Sequence, residues 1–448
     1  MDFNSFKKIV VAECEAQGIT EYELYYQAGT SVSAQAFQHS INEFSAAQEG
    51  GVCFRCIVGG KMGYASTENL SAEQAKAVVA KAADSAALLE AEEQVFLGEG
   101  GQEYEPLNIK TYELPATDAL IQKVLETQEK IYAADTCVVD GCQTQGVAES
   151  SEIAICNSKG LDLHYEMKLA GLVAVGVVSN GKEMTNDYQI KLGKLDEIDN
   201  DALAKKAVDG AKIKLGGDVA PTGQYPVVFH PEAMCSLLSV FSSVFSSEAA
   251  QKGLSKLGDK EGEMIAAPIV TLVDDPFHPE NPMPRNFDAE GSPTHKKNII
   301  EGGKLNTLLY NLKTAAVAGK KTTGNASKGG YDAPVGLRPF TMYLENGDMT
   351  EEELLAKAGE GVYITDLSGL HAGANAVSGD FSLQSAGFMI REGKKCEYVK
   401  SFTVAGNFYD LLKNIAAMAN NCHLPNAMGS TAFGAPSVLV ENLSVAGK

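Results

Sequence analysis

The hydrophobic pattern of the first half predicts one helix, then strands, then a second helix. The opening stretch MDFNSFKKIVVAECEAQG spaces its apolar side chains three and four residues apart, as in an amphipathic helix. Residues 21–66 alternate between apolar and polar positions, as strands do. Ser71 and Gln74 form a capping-box pattern, which predicts an alanine-rich helix from there to about Ala91.

The next segment repeats this mixture of elements. A helical pattern runs from about Thr117 to Ala133, and strand-like residues follow it. The stretch AGLVAVGVVSNGKEMTNDYQI predicts a hairpin that turns at Asn180-Gly181, a dipeptide typical of type I′ turns. A charged helical pattern then covers about Asp201 to Leu215.

A Gly/Pro-rich linker, GGDVAPTG at 216–223, separates the two halves of the chain. We therefore expect two domains, 1–218 and 219–448. Helices and strands occur in runs without a βαβ alternation, which favours an α+β fold. The first domain is expected to pack helices on an antiparallel sheet, and the second to be rich in strands.

One stretch of the second half, FHPEAMCSLLSVFSS at 229–243, predicts a core helix. Pro231 fits only the first helical turn, so the helix begins there and extends to about residue 250. Its buried stripe should consist of apolar residues at helical spacing, namely Met234, Leu237, Leu238, Phe241, Val244 and Phe245. A further helical pattern lies near 408–420.

Composition excludes several classes of function. The 448 residues include 37 basic and 58 acidic side chains, a net charge of −21, so the surface repels nucleic acid. The N-terminus does not have the pattern of a signal peptide. The longest apolar run, 169–178, is about half the roughly 20 residues of a membrane span. Nine cysteines without paired spacing suit a reducing compartment, so we expect a cytoplasmic protein without membrane contact.

The start of the 231–250 helix contains part of a peptidase-like set. Zinc peptidases use two histidines as metal ligands and a glutamate as the base for the metal-bound water. His230 and Glu232 are present, but the next histidine is His278. His230 and Cys235 would need a distant third ligand to hold a metal, and a lone histidine before a helix is more often a cap.

Other candidate signals have structural explanations. Cys53 and Cys56 have CxxC spacing, but positions i and i+3 of a strand point to opposite faces. The loop 319–330 does not fit a phosphate-binding pattern, and a mobile loop is the better interpretation. A polar group that lacks regular spacing gives only weak reason to expect a metal: Asp274, Asp275, His278, Asp288 and His295.

The segment 371–390, HAGANAVSGDFSLQSAGFMI, has two open interpretations. Its small and polar residues precede a strand and would let another backbone approach closely, as in peptide binding at a strand edge. The alternative is a glycine-rich turn that holds a hairpin. The candidate groove or interface residues are Asn375, Ser378, Gly379, Asp380 and Ser382.

Six segments together resemble the TldD/PmbA family, also called modulator-of-gyrase proteins. They are TNDYQI, LGGDVAPTGQYPVVFHPEAMCSLLSVF, PIVTLVDDPFHPENPMPRNFDAEGSPTHKKNIIEGGKL, SGDFSLQSAGFMIREGK, TVAGNFYDLLKNI and GAPSVLVENLSVAGK. The family comprises two related subunits. The TldD type has an HExxxH motif and a later metal-binding cysteine, and the PmbA type, also called TldE, lacks both.

The 229–243 stretch indicates the type. If Glu232 is aligned with the catalytic glutamate, Pro231 and Ser236 occupy the histidine positions. If His230 is aligned with the first histidine, Pro231 replaces the glutamate and Cys235 the second histidine. Neither register restores the motif. A TldD-type chain has its metal-binding cysteine shortly before the final strand. The corresponding segment here is NAMGSTAFGAPSVLV, and Cys422 lies upstream of it. The chain therefore resembles the PmbA/TldE subunit.

The resemblance implies a non-catalytic subunit, inactive alone, of a cytoplasmic heterodimeric metallopeptidase acting on unstructured peptides. It implies no cofactor in this chain and a metal, expected to be zinc, in a TldD-type partner; a homodimer without the partner is compatible with it. Two alternatives stay open: a stand-alone regulatory binding protein of a toxin or DNA gyrase system, and an independent metallopeptidase with atypical ligands.

Overall fold

The structure is a computed structural model that describes residues 1–89, 95–107, 113–425 and 431–448. The first half forms a six-stranded antiparallel sheet, ordered β3-β2-β1-β4-β5-β6. Its strands are β1 (Tyr22–Phe37), β2 (Ser40–Val58), β3 (Lys61–Thr67), β4 (Gln143–Asn157), β5 (Asp162–Ser179) and β6 (Met184–Leu192). Its helices are α1 (Phe3–Gln17), α2 (Ala72–Leu88), α3 (Thr117–Ala134) and α4 (Asn200–Ile213).

The two faces of this sheet have different partners. Side chains alternate between the faces of a strand, so neighbouring residues of β1 enter different cores. Leu24 packs with α1 and α2, whereas Tyr25 packs with Phe287 and Ala326 of the second half. The helices therefore cover one face, and the second half of the chain covers part of the other.

The second half is rich in strands. They are β7 (Asp218–Val219), β8 (Gly223–Phe229), β9 (Leu272–Asp274), β10 (Lys297–Glu301), β11 (Lys304–Leu305), β12 (Ala326–Ser327), β13 (Gly336–Leu337), β14 (Thr341–Leu344), β15 (Gly361–Ser368), β16 (Asp380–Arg391), β17 (Lys394–Asn407), β18 (Ile415–Met418), β19 (Ala432–Gly434) and β20 (Val438–Ala446). Its helices are α5 (Pro231–Phe241), α6 (Ser247–Gln251), α7 (Leu312–Ala318), α8 (Glu351–Ala358), α9 (Leu370–Gly373) and α10 (Phe408–Lys413).

Seven of these strands form a sheet that closes on itself. Their order is β18-β20-β8-β15-β16-β17-β7, and an additional pairing joins β17 to β20. Strands β8, β15, β16, β17 and β20 thereby form a barrel. A second sheet has the order β11-β10-β9-β14-β19. The fold is α+β, with helices packed on an antiparallel sheet in the first half and a β-rich second half, as the sequence predicts.

Helix α5 is held in the core of the second half by its apolar face. Met234, Leu237 and Leu238 are completely buried, as the sequence predicts. Phe241 stacks on Phe408 of α10, with ring centroids 4.5 Å apart. This packing places the first turn of α5 at the end of β8, and β8 pairs with β15.

Two helices are shorter than the sequence predicts. The helix expected to reach residue 250 ends at Phe241, and a 3-10 turn follows at Ser242–Phe245. There the Ser242 hydroxyl donates to the Ser239 carbonyl at 2.9 Å, an alternative to the helical ladder. The helix expected over 408–420 ends at Lys413, because the residues after it pair with β20 as strand β18.

The hairpin between β5 and β6 has a longer turn than predicted. Ser179 pairs with Met184, so four residues rather than two form the turn. The Asn180 side chain closes it by accepting hydrogen bonds from the backbone N–H groups of Lys182 and Glu183. The hairpin itself is present, and β6 lies at one end of the sheet.

The division into domains after residue 218 stays a prediction. Strand β7, which begins at Asp218, pairs with β17 and so belongs to the sheet of the second half. Among the described residues, no helix combines the length and the apolar character needed to cross a bilayer.

Candidate functional site

The first turn of α5 is fixed by backbone contacts on both sides of His230. Its N–H donates to the Ile364 carbonyl of β15 at 2.8 Å. Its Nδ1 accepts a hydrogen bond from the Glu232 N–H at 3.3 Å, so His230 is the N-cap of the helix. Pro231 follows as the first helical residue, as the sequence predicts.

A pocket of about 410 Å³ opens beside this turn. It lies between α5, the end strand β6 and the segment that precedes β19. The side chains that define it are Tyr188, Glu232, Cys235, Ser236, His423 and Phe433. The lining thus combines aromatic side chains with carboxylate, thiol, hydroxyl and imidazole groups.

His230 is a neutral imidazole held between two rings. Its centroid lies 6.0 Å from that of Tyr363 and 6.4 Å from that of His423, both in edge-to-face orientation. Burial lowers the pKa of His230 to about 4, and its interaction with Glu351 offsets only part of this effect. Its Nδ1 is occupied by the cap bond, so the Nε2 position is the one left for other partners.

The remaining residues of the predicted motif differ in environment. Glu232 has an exposed side chain, but the concave pocket around it raises the pKa of its carboxyl by desolvation. Cys235 is buried, and desolvation strongly raises the pKa of its thiol. Ser236 lines the pocket and donates to the Glu232 carbonyl at 2.9 Å. This environment favours the neutral thiol of Cys235, whereas the thiolate is the form that binds metal.

A second glutamate behind His230 has the opposite character. Glu351 Oε2 accepts hydrogen bonds from the Tyr363 hydroxyl at 2.7 Å and the Ser437 hydroxyl at 2.8 Å. Lys395 Nζ donates to Oε1 at 2.7 Å and lies 4.2 Å from the centroid of the Tyr363 ring. Burial alone would raise the pKa of Glu351, but these donors outweigh it and lower the pKa to about 2.

Metal-ligating residues do not converge at this site. Within the described ranges, no group of three or more His, Cys, Asp or Glu side chains is arranged to hold a metal ion. Cys422 lies near the pocket, and burial raises the pKa of its thiol to about 12. Residues 426–430, the first part of the segment compared with the TldD-type cysteine region, lie outside the described residues.

The structure places the 371–390 candidates away from the lining of this pocket. The Asn375 side chain accepts from the backbone of Val377 and Ser378, and its carbonyl accepts from Gly379, which has φ of 84°. Asp380 and Ser382 begin β16, which pairs with β15 on one side and β17 on the other. The pairing with β15 covers Gln384–Ile390, whereas Asp380 and Ser382 lie in the part of β16 that pairs with β17 and is bridged on its other side by Ala374↔Phe381. A role of these five residues as an interface stays a prediction.

The other polar signals form structural contacts. Cys53 and Cys56 lie in different cores on opposite faces of β2, as predicted. Asp274 is completely buried and accepts from Lys297 Nζ at 3.1 Å, from Asn325 Nδ2 at 2.8 Å and from two backbone N–H groups. His278 packs edge-on against Tyr343.

Sequence reasoning missed the residues that complete the site from other elements. Tyr188 is on β6, Glu351 opens α8, and His423 follows β18. Tyr188 lies in TNDYQI, one of the six family-like segments, but nothing in the sequence links it, Glu351 or His423 to His230 and Glu232, which they meet only because the sheets bring these elements together. The one available signal for His423 is its position shortly before the GAPSVLV segment that contributed to the family resemblance.

Three domain models of one family match the chain. They are "PmbA/TldA metallopeptidase domain 1" at residues 22–86, the "central domain" at 112–215 and the "C-terminal domain" at 222–447. The last of these alone covers half of the chain and contains α5 with its pocket.

The chain is also similar to individual proteins along most of its length. A metalloprotease of Methanothermobacter thermautotrophicus is 26% identical over 445 residues, 94% of each chain. A crystal structure from Thermotoga maritima, described as a modulator of a DNA gyrase, has a TM-score of 0.89 at 29% identity and covers 99% of this chain and 100% of its own. TldE from Thermococcus kodakarensis shares the fold, with a TM-score of 0.87 at 24% identity over 98% and 99% of the two chains.

Proposed function

This chain belongs to the PmbA/TldD family of metallopeptidases, and we propose that it is a PmbA/TldE-type subunit, inactive alone, of a cytoplasmic two-chain metallopeptidase. In this proposal a TldD-type partner provides the metal, expected to be zinc, together with the general base and the activated water. The chain described here provides a docking surface and part of the groove for unstructured peptides.

The observation on which the proposal depends is the set of residues in the first two turns of α5. A zinc peptidase needs two ligands on one helix face with a glutamate between them. In one register Pro231 and Ser236 replace the histidines, and in the other Cys235 replaces the second one. Neither Pro231 nor the Ser236 hydroxyl is an ordinary zinc ligand, and Cys235 is buried as a thiol.

The pocket beside α5 supports a peptide-binding role. Strand β6 is at the end of its sheet, and its outward residues Met184 and Tyr188 are 66% and 61% exposed. An extended peptide can add to such a strand by backbone hydrogen bonds, which selects for unfolded substrates. A peptide lying along Met184–Tyr188 would present a side chain to the pocket at Glu232 and Ser236. We therefore propose β6 and α5 as a second part of the groove beside the 371–390 segment.

One observation favours a second candidate, an independent metallopeptidase with atypical ligands. His423 lies beside His230, and Cys422 is its neighbour in the chain. Zinc analysis separates the two proposals. We expect protein purified without chelator to contain well under one zinc per chain. One tightly held zinc that is lost in His230→Ala or His423→Ala would favour the second candidate instead.

The main test is a mixing experiment. A TldD-type chain is assayed on a disordered peptide alone, with the wild-type chain, and with a Ser236→Trp variant that fills the pocket. We expect the wild type to activate the partner and Ser236→Trp to activate it much less. Ser243→Trp, an exposed serine outside the pocket, is the matched control and should activate like the wild type.

Complex formation is measured separately by size-exclusion chromatography, because lost docking and lost peptide binding reduce activity alike. A partner that is fully active alone and gains nothing from the wild-type chain contradicts the shared-groove proposal. In that case a stand-alone regulatory protein becomes the better hypothesis, and the description of the Thermotoga maritima structure makes DNA gyrase the first candidate target to examine.

A further inference from the structure

Strand β2 has one edge that is only partly covered by its neighbour. Residues 40–56 of β2 pair with β1 on one side, but β3 pairs on the other side only with residues 52–58. Residues 40–51 therefore have no strand partner on that side among the described residues. Such an edge presents unpaired N–H and C=O groups to an extended chain that approaches it.

The ladder with β1 shows which backbone groups are free. The Ile57 N–H donates to the Glu21 carbonyl, on the β1 side, at 2.9 Å. Alternate residues of an antiparallel strand bond to the same neighbour, so the odd-numbered residues of β2 bond to β1. The even-numbered residues direct their N–H and C=O groups towards the open edge, and they are Phe44, Ala46, Gln48 and Gly50.

Two cavities flank this edge. The first, about 430 Å³ in volume, is formed by β1, β2, β4 and the loop 329–332 of the second half. The second, about 770 Å³, is lined by Tyr26, which stacks on Phe3 of α1. The cavities thus lie on opposite faces of the sheet, and Glu49 and Tyr331 line both. An added strand would place its alternate side chains in them.

Both cavities are acidic. The carboxylates that line them are Glu49, Glu68, Glu149 and Asp332. Glu68 accepts a hydrogen bond from the Tyr331 hydroxyl at 3.2 Å, and the other three side chains are exposed and have no hydrogen bond or ion pair with the part of the chain that the structure describes. The one cationic group in the two linings is the amino group of Met1, which donates to the Leu70 carbonyl at 2.9 Å. The unpaired negative charge favours a basic ligand.

Tyr331 lies at the point where the open edge begins. Its ring packs against Gly51, where an added Cβ would be 2.6 Å from the ring, and Gly51 is the residue next to the last pair between β2 and β3. A tyrosine ring attracts the cationic group of lysine or arginine. The aromatic contact therefore agrees with the charge of the two cavities.

We propose that the open edge of β2 binds an extended polypeptide segment with lysine or arginine at alternate positions. The segment adds to the sheet through backbone hydrogen bonds with the even-numbered residues of β2. Cys53 faces the second half of the chain, so Glu49 faces the same side, towards Asp332. The basic side chains of the segment lie on that face. This site is separate from β6 and the α5 pocket, and it does not depend on the proposed subunit role.

The test is fluorescence anisotropy of the full chain with a labelled peptide in which lysine and threonine alternate over seven residues. We expect this peptide to bind, and a counterpart with glutamate in place of lysine not to bind. Raising the salt concentration should weaken binding, because exposed charge pairs are screened.

Two backbone-methylated forms of the lysine peptide test strand addition. When the lysines face Glu49, the threonines lie opposite the even-numbered residues of β2, and their N–H groups point towards that strand. Methylation of the threonine nitrogens should therefore abolish binding. Methylation of the lysine nitrogens, which point away from β2, is the matched control and should preserve it.

Variants of the chain test the named residues. Glu49→Gln combined with Asp332→Asn should weaken binding roughly 2- to 30-fold, the effect of losing two exposed charge pairs. Asp348→Asn combined with Glu352→Gln removes the same charge from exposed positions outside both cavities and should bind like the wild type. Ala46→Pro removes one N–H from the open edge, a position where a strand tolerates proline, and should also weaken binding. Circular dichroism establishes that each variant is folded.

The proposal is wrong if the lysine peptide does not bind, if the glutamate peptide binds equally well, or if the two methylated forms bind alike. It is also wrong if the folded Glu49 and Asp332 double variant or the folded Ala46→Pro variant binds like the wild type. Ser236→Trp should leave binding unchanged, and a loss of binding there would place the peptide at the α5 pocket instead. A dimer that Ala46→Pro dissociates in size-exclusion chromatography, without peptide binding by the wild type, would mean that a second copy of the chain occupies the edge.

Discussion

Helices α5 and α8 both begin with a turn that contains a glutamate near His230, but they are held in opposite ways. The Glu232 carboxylate has no hydrogen bond or ion pair among the described residues, and its pKa is raised. Glu351 accepts hydrogen bonds from Tyr363, Ser437, Lys395 and Asn421, and its pKa is lowered to about 2. Helix α5 is held by its buried apolar face, whereas α8 adds the contacts of a polar first turn to its buried Leu354 and Leu355.

The comparison shows that the Glu351 carboxylate stabilises the fold, whereas the Glu232 carboxylate is available to contact a ligand. Four donors fix Glu351 as an anion, and such an anion is a poor proton acceptor. Glu232 faces a pocket and has an elevated proton affinity, as a general base or a hydrogen-bonding group for a ligand does. In this chain it has that environment without the metal ligands, which agrees with a peptide-contacting role.

The largest expected effect concerns the apolar face of α5. Leu238→Ala should lower the free energy of unfolding by about 2–5 kcal/mol, because Leu238 is completely buried and its removal leaves a cavity. Urea denaturation measures this change. Ser239→Ala, on the exposed side of the same helix, is the control and should stay within about 0.5 kcal/mol. Equal losses of unfolding free energy in the two variants would mean that the buried apolar face does not hold α5 in place.

The next effect concerns the first turn of α8. Glu351→Gln should cost about 2 kcal/mol at pH 7, because it removes a partly exposed charge that accepts hydrogen bonds from four donors. Glu352→Gln, an exposed neighbour in the same turn, should have little effect.

The pH dependence of this difference has a definite sign. The pKa of Glu351 is about 2 in the folded chain and 4.5 without its partners, so its stabilisation is complete above pH 4.5. It is lost as the pH falls from 4.5 towards 2. The gap between wild type and Glu351→Gln should therefore shrink over that range in denaturation curves. A gap that stays constant from pH 7 to pH 3 contradicts the assignment of an ionised, stabilising carboxylate.

His230 provides an intermediate test, because it contacts both regions. NMR titration of its ring should give a pKa near 4, well below the value of 6.5 for a free histidine. Its neutral form is favoured by folding, so this contribution to stability is present above pH 6.5 and is lost as the pH falls through 4. A His230 pKa near 6.5 would mean that the ring is more open to solvent than the structure places it.

The smallest effect is expected at Glu232. Glu232→Gln should change the free energy of unfolding by no more than about 0.5 kcal/mol, because the carboxylate is exposed and makes no hydrogen bond or ion pair with the part of the chain that the structure describes. The contrasting measurement is hydrolysis of the disordered peptide by the partner chain, which the Glu232→Gln variant should activate less than the wild type does. A large loss of stability would place Glu232 in the same structural class as Glu351 and remove the contrast between the two helices.

Local pattern predicted much of the fold around α5. Proline needs no N–H in the first helical turn, so Pro231 marked the start of the helix, and the apolar spacing identified its buried face. The same reasoning placed the C-terminal ends of α5 and α10 too far along the chain. The ends depend on competition from serine hydroxyls after Phe241 and on the pairing of β18 with β20, and residue spacing does not report either.

The sequence by itself determined the fold class, the buried face of α5 and the lack of a complete zinc motif, because each depends on residues close together in the chain. Only the tertiary structure decided which side chains share the site. Tyr188, Glu351 and His423 come from three elements far apart in sequence and reach His230 or its pocket through sheet pairing. Tertiary structure likewise made Glu232 and Glu351 different, because the pKa of a carboxyl is set by burial and by donors that packing brings to it.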